Sequence, residues 1–127
     1  MKLYGYFRSS AAWRLRIALA LKGVAHDAAF VHLRKGEQRE AAHLARNPQG
    51  LVPVLELDDG TLLTQSLAIL EWLEETHPTP AMLPADPIER ARARAFALAI
   101  ACEIHPVQNL KVLNRLRRDA GFDDAAV

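Results

Sequence analysis

Cysteine and long apolar runs are scarce in this chain of 127 residues. Its single cysteine, Cys102, excludes an internal disulfide and any redox pair of two cysteines. No apolar run approaches the roughly 18 residues that a membrane-spanning helix needs. With 16 Lys and Arg against 15 Asp and Glu, the net charge is +1, so no strong field attracts nucleic acid or an anionic membrane. We therefore expect a cytoplasmic protein that binds neither nucleic acid nor membranes.

The histidines also lack a pattern typical of metal ligands. They are His26, His32, His43, His77 and His105. Their spacing matches no recognised ligand set, and Cys102 with His105 offers at most two ligands. Core packing is the more common role of a cysteine such as Cys102, and we predict it there. No metal site is expected.

What the first part of the chain does contain is an alternation of strand and helix patterns. Strands are predicted over 2–7, 28–33, 53–57 and 61–64, and helices over 10–22, 38–45 and 65–76. The order β-α-β-α-β-β-α combines a parallel β-α-β unit with an antiparallel hairpin, so the sheet is mixed. We predict a thioredoxin-like α/β domain.

The first predicted helix is apolar on most of its surface. One face carries Trp13, Ile17, Ala20 and Leu21, and Leu15, Ala18 and Leu19 fill much of the remainder. A helix with this pattern is expected to be mostly buried. The polar residues predicted to reach solvent are Arg14, Arg16 and Lys22.

A proline-rich stretch, 78–84, indicates a linker. Directly after it, residues 86–89 have the acidic N-cap, the proline and the glutamate that are typical of a helix start. Pro106 predicts a kink or break in the helical part that follows. The predicted domains are a thioredoxin-like domain over 1–79, a linker over 80–86 and the first helices of an all-α domain over 87–127.

Two helix starts in the predicted thioredoxin-like domain suit an anionic ligand. At Ser9 and Ser10, unpaired N–H groups and the helix dipole favour negative charge, and a hydroxyl can lower the pKa of a thiol. At Gln65 and Ser66, backbone amides and the Ser66 hydroxyl can hold a carboxylate. Either pair can instead serve only as a helix cap, and the sequence leaves both interpretations open.

Val52 and Pro53, between a turn and a predicted strand, form a third candidate. If their peptide bond is cis, the N–H and carbonyl of Val52 turn outward and can pair with an extended peptide. The alternative is an ordinary trans proline at a strand edge. Together, the three features suit an extended anionic peptide that carries a thiol.

Three stretches carry a resemblance to a known family. They are residues 6–23, 47–53 and 65–69, and similar residues continue through 71–80 and 104–110. With these motifs the chain closely resembles the zeta-class glutathione transferases. The resemblance implies glutathione as the cofactor, a homodimer as the assembly, and cis–trans isomerisation of a maleyl dicarboxylate, either maleylacetoacetate or maleylpyruvate, to its fumaryl product.

The resemblance also implies roles for residues of the first domain. Ser9 would face the glutathione sulfur, and Val52, next to Pro53, would pair with the cysteinyl backbone. Gln65 and Ser66 would hold the γ-glutamyl end. The residue implied at the glycyl end is Gln38.

Further residues complete the predicted site. His105 and Asn109 align with positions from which the family's helical domain reaches the same cleft, and with Gln108 they are predicted to form one polar stripe on a helix. Arg8 and Ser10, next to Ser9, are predicted to be catalytic. Arg8 is the candidate for a substrate carboxylate, with a plain surface arginine as the alternative.

The implied mechanism uses the glutathione thiolate. It adds to the cis double bond, the new single bond rotates, and its departure leaves the trans product. Two departures from the family matter: Ala11 stands where the family usually carries cysteine, and the chain stops at Val127, which predicts a truncated helical domain with uncovered apolar faces. The alternatives are a chain that binds glutathione or a partner without turnover, and a general glutathione transferase.

Overall fold

The computed structural model describes residues 1–123. The elements are β1 (Lys2–Gly5), α1 (Ser10–Leu21), β2 (Asp27–Phe30), α2 (Ala41–Leu44), β3 (Val54–Glu56), β4 (Leu62–Thr64), α3 (Ser66–Thr76), α4 (Pro87–Leu98) and α5 (Leu110–Ala120). Two 3-10 turns, Leu33–Lys35 and Glu37–Arg39, precede α2, and a π-helical segment, Ala99–Ile104, follows α4. The helix predicted over 38–45 is therefore split into a 3-10 turn and a single short helix.

The four strands form one mixed sheet in the order β2-β1-β3-β4. β1 runs parallel to β2 and antiparallel to β3, and β3 runs antiparallel to β4. This arrangement confirms the predicted thioredoxin-like fold. In its register Tyr4 pairs with Val54 and Val54 pairs with Thr64. The end of β1, the start of β3 and the end of β4 therefore lie at the same edge of the sheet.

The core of the first part of the chain lies on both faces of the sheet. Successive strand residues point to opposite faces, so Leu3 and Leu55 belong to one cluster and Tyr4 and Val54 to another. The first cluster holds the sheet against α1 and α3. Its fully buried helix residues are Leu15, Leu19, Ile69 and Leu73.

Helix α1 is less buried than predicted. Its buried residues are Ala12, Leu15, Ala18 and Leu19. The opposite apolar face is open among the described residues, since Trp13 is 56% exposed and Leu21 is 61% exposed. The prediction of a mostly buried helix is wrong because hydrophobicity alone cannot tell which apolar face packs on the sheet.

The chain divides into two compact units, Met1–Leu83 and a second that begins at Pro84. In the second unit, the predicted start of α4 is confirmed, because Asp86 accepts hydrogen bonds from the backbone N–H groups of Ile88 at 3.0 Å and Glu89 at 2.9 Å. Cys102 is exposed, so its predicted core packing is wrong. The finer domain limits given above stay a prediction.

No helix within residues 1–123 is both long enough and apolar enough to cross a membrane.

Candidate functional site

The three features predicted to bind a ligand leave the sheet at one edge. Ser9 follows β1, Val52 precedes β3 and Gln65 follows β4. The register described above brings these three strand ends together. A ligand of a few residues' length can therefore contact all three segments at this edge.

Ser9 caps helix α1 and keeps its own proton available. Its Oγ accepts a hydrogen bond from the Ala12 backbone N–H at 3.2 Å, so Ser9 does cap the helix. A hydroxyl that accepts one hydrogen bond can still donate its proton to another group. Capping and donation to an anion are thus compatible in one side chain. Arg8 and Ser10 are both exposed beside it, and their catalytic roles stay predictions.

The Val52–Pro53 peptide bond is cis, so the trans alternative is wrong. Pro53 is buried and Val52 is half-buried against the Tyr4 cluster. Within residues 1–123, neither the N–H nor the carbonyl of Val52 makes a backbone hydrogen bond. Two unpaired backbone groups on one residue are what an extended peptide can pair with.

Gln65 and Ser66 start helix α3 without a side-chain cap. Gln65 occupies the N-cap position, but its side chain makes no capping hydrogen bond, so the alternative that this pair serves only as a side-chain cap is wrong. Its backbone has φ +67°, a region that side chains larger than glycine rarely occupy. Ser66 is only 8% exposed, so its hydroxyl lies in a largely enclosed position at the amino end of the helix. Strained backbone of this kind is often kept at binding sites.

We expect Gln65→Gly to raise the free energy of unfolding of the first unit by about 1 kcal/mol, because relief of a positive φ outweighs the added flexibility of glycine. Gln65→Ala removes the same side chain but keeps the strain, so it is the matched control. Urea unfolding of both variants measures the difference. A Gln65→Gly variant less stable than Gln65→Ala would show that the backbone at position 65 is unstrained.

Two hydrogen bonds connect the three segments. Arg14 of α1 donates from Nη1 to Ser66 Oγ at 3.2 Å, and Gln65 donates from Nε2 to Gln49 Oε1 at 2.7 Å. Gln49 lies in the loop that leads to Val52. Neither hydrogen bond was predicted from the sequence, and Arg14, which was predicted to reach solvent, is half-buried. The half-buried guanidinium adds positive charge at the amino end of α3, where a carboxylate is favoured.

Gln38, predicted to bind the glycyl end, lies against the loop before Val52. Its backbone oxygen is 3.2 Å from the position that a Cβ on Gly50 would take. Its side-chain Oε1 is buried and has no hydrogen-bond partner among the described residues. A buried polar atom without a partner is costly, so the position suits a polar ligand that supplies one.

His105 and Asn109 lie in the second unit and do not share a helix. Asn109 has an extended backbone, φ −81° and ψ 158°, and its side chain caps α5 by accepting from the Val112 N–H at 3.1 Å. The turn around Pro106 separates it from the π-helical segment that ends before His105. The predicted polar stripe on one helix is therefore wrong, and the approach of these side chains to the ligand stays a prediction.

The site of the first unit combines three kinds of group. A helix start with a hydroxyl donor suits a thiolate, unpaired backbone suits a peptide, and a second helix start beside an arginine suits a carboxylate. In the part of the chain that the structure covers, no cluster of three or more His, Cys, Asp or Glu side chains is placed to hold a metal ion.

Comparison with known proteins shows which family the chain resembles. The family model described as glutathione S-transferase, N-terminal domain, matches residues 8–76. The maleylacetoacetate isomerase of Pseudomonas aeruginosa is 53% identical over 129 aligned residues, which cover 100% of this chain and 60% of that protein. The chain thus spans about three fifths of the length of this relative.

Two solved structures are similar along nearly the whole chain. A holo structure of maleylpyruvate isomerase, named as a bacterial zeta-class glutathione S-transferase, superposes with a TM-score of 0.96 at 52% identity and covers 99% of this chain and 59% of its own. A maleylacetoacetate isomerase of Methylobacterium extorquens AM1, with malonate and glutathione bound, gives a TM-score of 0.96 at 47% identity, over 99% of this chain and 59% of its own.

Proposed function

Because the chain belongs to the glutathione S-transferase family, we propose that its first unit binds glutathione at the sheet edge formed by the ends of β1, β3 and β4. The observation that carries the proposal is the convergence of Ser9, Val52 and Ser66 at this edge. Each of them offers the group that one part of a γ-glutamyl thiol peptide requires. The relative from Methylobacterium extorquens binds glutathione itself.

The residues would hold the ligand from its sulfur to its two ends. The Ser9 hydroxyl donates to the sulfur, and the backbone of Val52 pairs with the cysteinyl residue, as in the extended-peptide mode. Ser66 and the start of α3 hold the γ-glutamyl carboxylate, with Arg14 directing the Ser66 proton outward because it donates to Ser66 Oγ. Gln65 contributes its side-chain amide to the same end of the ligand.

Gln38 completes the ligand site at the glycyl end. Its buried Oε1 has no partner within residues 1–123, and a polar group of the ligand would supply one. From the second unit, we propose Asn109 and His105 as further contacts, carried over from the family pattern.

We propose that the reaction is the cis–trans isomerisation of a maleyl dicarboxylate, maleylacetoacetate or maleylpyruvate. Bound glutathione supplies a thiolate that adds reversibly to the cis double bond and so permits rotation. Ser9 and the helix start keep the sulfur ionised, and Arg8 neutralises a substrate carboxylate. A malonate bound with glutathione in the relative supports a dicarboxylate beside the thiol. Residue Ala11, where the family usually has cysteine, leaves Ser9 and Ser10 as the hydroxyl donors.

We also propose the partners, the location and the assembly of the protein. The near-neutral net charge of +1 fits a protein that works on a small molecule and has no nucleic-acid or membrane partner. We propose a cytoplasmic homodimer, as in the family.

The test follows maleylpyruvate and maleylacetoacetate by proton NMR with the full chain, with and without glutathione. We expect the fumaryl signals to appear only when glutathione is present. Titration of glutathione by calorimetry gives the binding arm of the test. Saturable binding without turnover would reject the isomerase and leave a glutathione binder, and absence of binding would reject the site itself.

A further inference from the structure

Two buried side chains hold the loop that leads to Val52. His43 is 3% exposed and Asn47 is 2% exposed. The ring Nε2 of His43 and the side-chain Nδ2 of Asn47 each lie 2.9 Å from the Leu51 carbonyl oxygen. A carbonyl only accepts, so Nε2 of His43 carries the proton. Two donors from different positions on one oxygen fix its direction.

Asn47 also closes the turn between itself and Leu51. Its Oδ1 accepts from the Gln49 backbone N–H at 3.1 Å, and its backbone carbonyl accepts from the Gly50 N–H at 2.9 Å. The side-chain amide therefore uses its donor and its acceptor for two different bonds. Ionised aspartate at this position would keep the acceptor and lose the donor. Asn47→Asp therefore removes the hydrogen bond to the Leu51 carbonyl and keeps the one from the Gln49 N–H.

The direction of the Leu51 carbonyl sets the direction of the Val52 N–H. Both groups belong to one planar peptide unit, and that unit is trans, because the cis bonds in the described chain are Val52–Pro53 and Thr79–Pro80. In a trans peptide the carbonyl and the N–H point to opposite sides. A carbonyl held inward by His43 and Asn47 therefore turns the Val52 N–H outward, where it has no backbone partner within residues 1–123.

We propose that His43 and Asn47 are positioning residues that aim the Val52 N–H at the carbonyl of the ligand's cysteinyl residue. This inference rests on the proposed glutathione site. The two side chains are buried behind the loop and act through Leu51, so their effect on binding depends on the orientation of one peptide unit. It follows that their loss should weaken binding through that ligand carbonyl in particular.

The experiment compares glutathione with an analogue in which the cysteinyl carbonyl is replaced by a methylene group. Affinities of both are measured by calorimetry for the full-length wild type, for His43→Leu, for Asn47→Asp and for His43→Gln, with melting temperatures as a folding control. His43→Gln is the conservative variant, because the glutamine amide nitrogen takes nearly the place of Nε2.

We expect loss of the ligand carbonyl to weaken wild-type binding about fivefold, the effect of roughly one hydrogen bond. His43→Leu and Asn47→Asp should bind glutathione about fivefold more weakly and should no longer distinguish the two ligands, while His43→Gln should behave as the wild type. A purely structural role would lower the melting temperature and leave the ratio between the ligands unchanged.

Three results would overturn the inference. Folded variants that still distinguish the two ligands by the wild-type factor would show that the side chains do not orient the Val52 N–H. A wild type that binds both ligands equally would show that this N–H is not used, with the glutathione site itself intact. A wild type that fails to bind glutathione would reject the proposed function and the inference with it. If His43→Leu does not fold, Asn47→Asp and His43→Gln decide the question.

Discussion

Replacing Lys22 with methionine should lower the free energy of unfolding of the first unit by about 3–5 kcal/mol, because it leaves a buried carboxylate without its cation. Lys22 Nζ lies 2.8 Å from Glu74 Oε2, and the two side chains are 0% and 13% exposed. The chain has two tryptophans, Trp13 and Trp72, and both belong to the first unit. Tryptophan fluorescence in urea therefore reports the unfolding of this unit.

The Lys22–Glu74 pair also holds the segment that follows α3. Lys22 Nζ donates to two backbone carbonyls, and Glu74 accepts from two backbone N–H groups. These bonds are to His77 at 2.5 Å, Pro80 at 3.0 Å, Met82 at 3.0 Å and Leu83 at 3.2 Å. Loss of the ammonium group removes two of the bonds directly, and the remaining charge on Glu74 must then be solvated in a buried place. Both effects act in the same direction on stability.

The penalty of Lys22→Met should shrink in acid. Burial favours a raised pKa for the Glu74 carboxyl, but the hydrogen bond from Lys22 and those from the Met82 and Leu83 amides outweigh it, so the pKa is lowered overall. A group with a lowered folded-state pKa stabilises the fold above its unfolded pKa and loses that contribution as the pH falls through the folded value. Without Lys22, only the two backbone hydrogen bonds still stabilise the ionised carboxylate against burial. The protonated form of Glu74 is then favoured more than in the wild type. Wild type and variant should therefore differ less at about pH 4 than at about pH 7.

Lys35→Met is the matched control for this substitution. Lys35 is exposed in the 3-10 turn after β2, and replacing it should leave stability nearly unchanged. A Lys22→Met variant as stable as Lys35→Met, or one whose penalty is the same at both pH values, would contradict the assigned role of the pair.

The sequence predicted those parts of the fold that local signals determine. Period-two and period-3.6 patterns, with turn residues such as Asn47 and Gly50, gave the strand and helix order of the first 76 residues. Ser9 and Asp86 were predictable as helix starts because capping needs only the next three residues. The edge at which the site lies follows from that order and from the antiparallel hairpin.

The predictions that failed concern contacts between residues far apart in the chain. Lys22 and Glu74 are 52 positions apart, as are Arg14 and Ser66, and no local pattern pairs them. Both basic residues were predicted to reach solvent from an otherwise apolar helix. In the same way, the sequence of α1 contains two apolar faces, and only the position of the sheet decides that Leu15 is buried while Trp13 is exposed.

The backbone conformation of single residues could not be predicted from the sequence either. The positive φ of Gln65 belongs to a residue type that rarely adopts it, so a propensity argument predicts the opposite. Asn109 was assigned to a helical stripe by spacing, but a side chain that accepts from the N–H three residues ahead places it before a helix start. The signal for that alternative was the residue type itself, because asparagine is a favoured N-cap residue.

If the proposed function is correct, replacing Ser9 with alanine should raise the pKa of the bound glutathione thiol and lower the proposed isomerisation rate about a hundredfold, as loss of one preorganised donor to an anion does. The same change removes the cap of α1, whose bond to the Ala12 N–H is 3.2 Å long, and should cost about 1 kcal/mol of stability. The thiolate absorbance of bound glutathione, followed against pH, measures the first effect, and urea unfolding measures the second.

Two further substitutions separate the two effects at Ser9. Ser9→Thr keeps both the cap acceptor and the hydroxyl donor, so this variant should match the wild type in thiol pKa and nearly in stability. Ser9→Asp keeps the cap acceptor but has no proton to donate at neutral pH, and its charge opposes a thiolate. Stability should therefore be lowest for Ser9→Ala, while thiolate formation should be lowest for Ser9→Asp. If thiolate formation instead followed the order of stability across the three variants, Ser9 would be a helix cap alone, and the ionisation of the sulfur would have to come from the helix start without its hydroxyl.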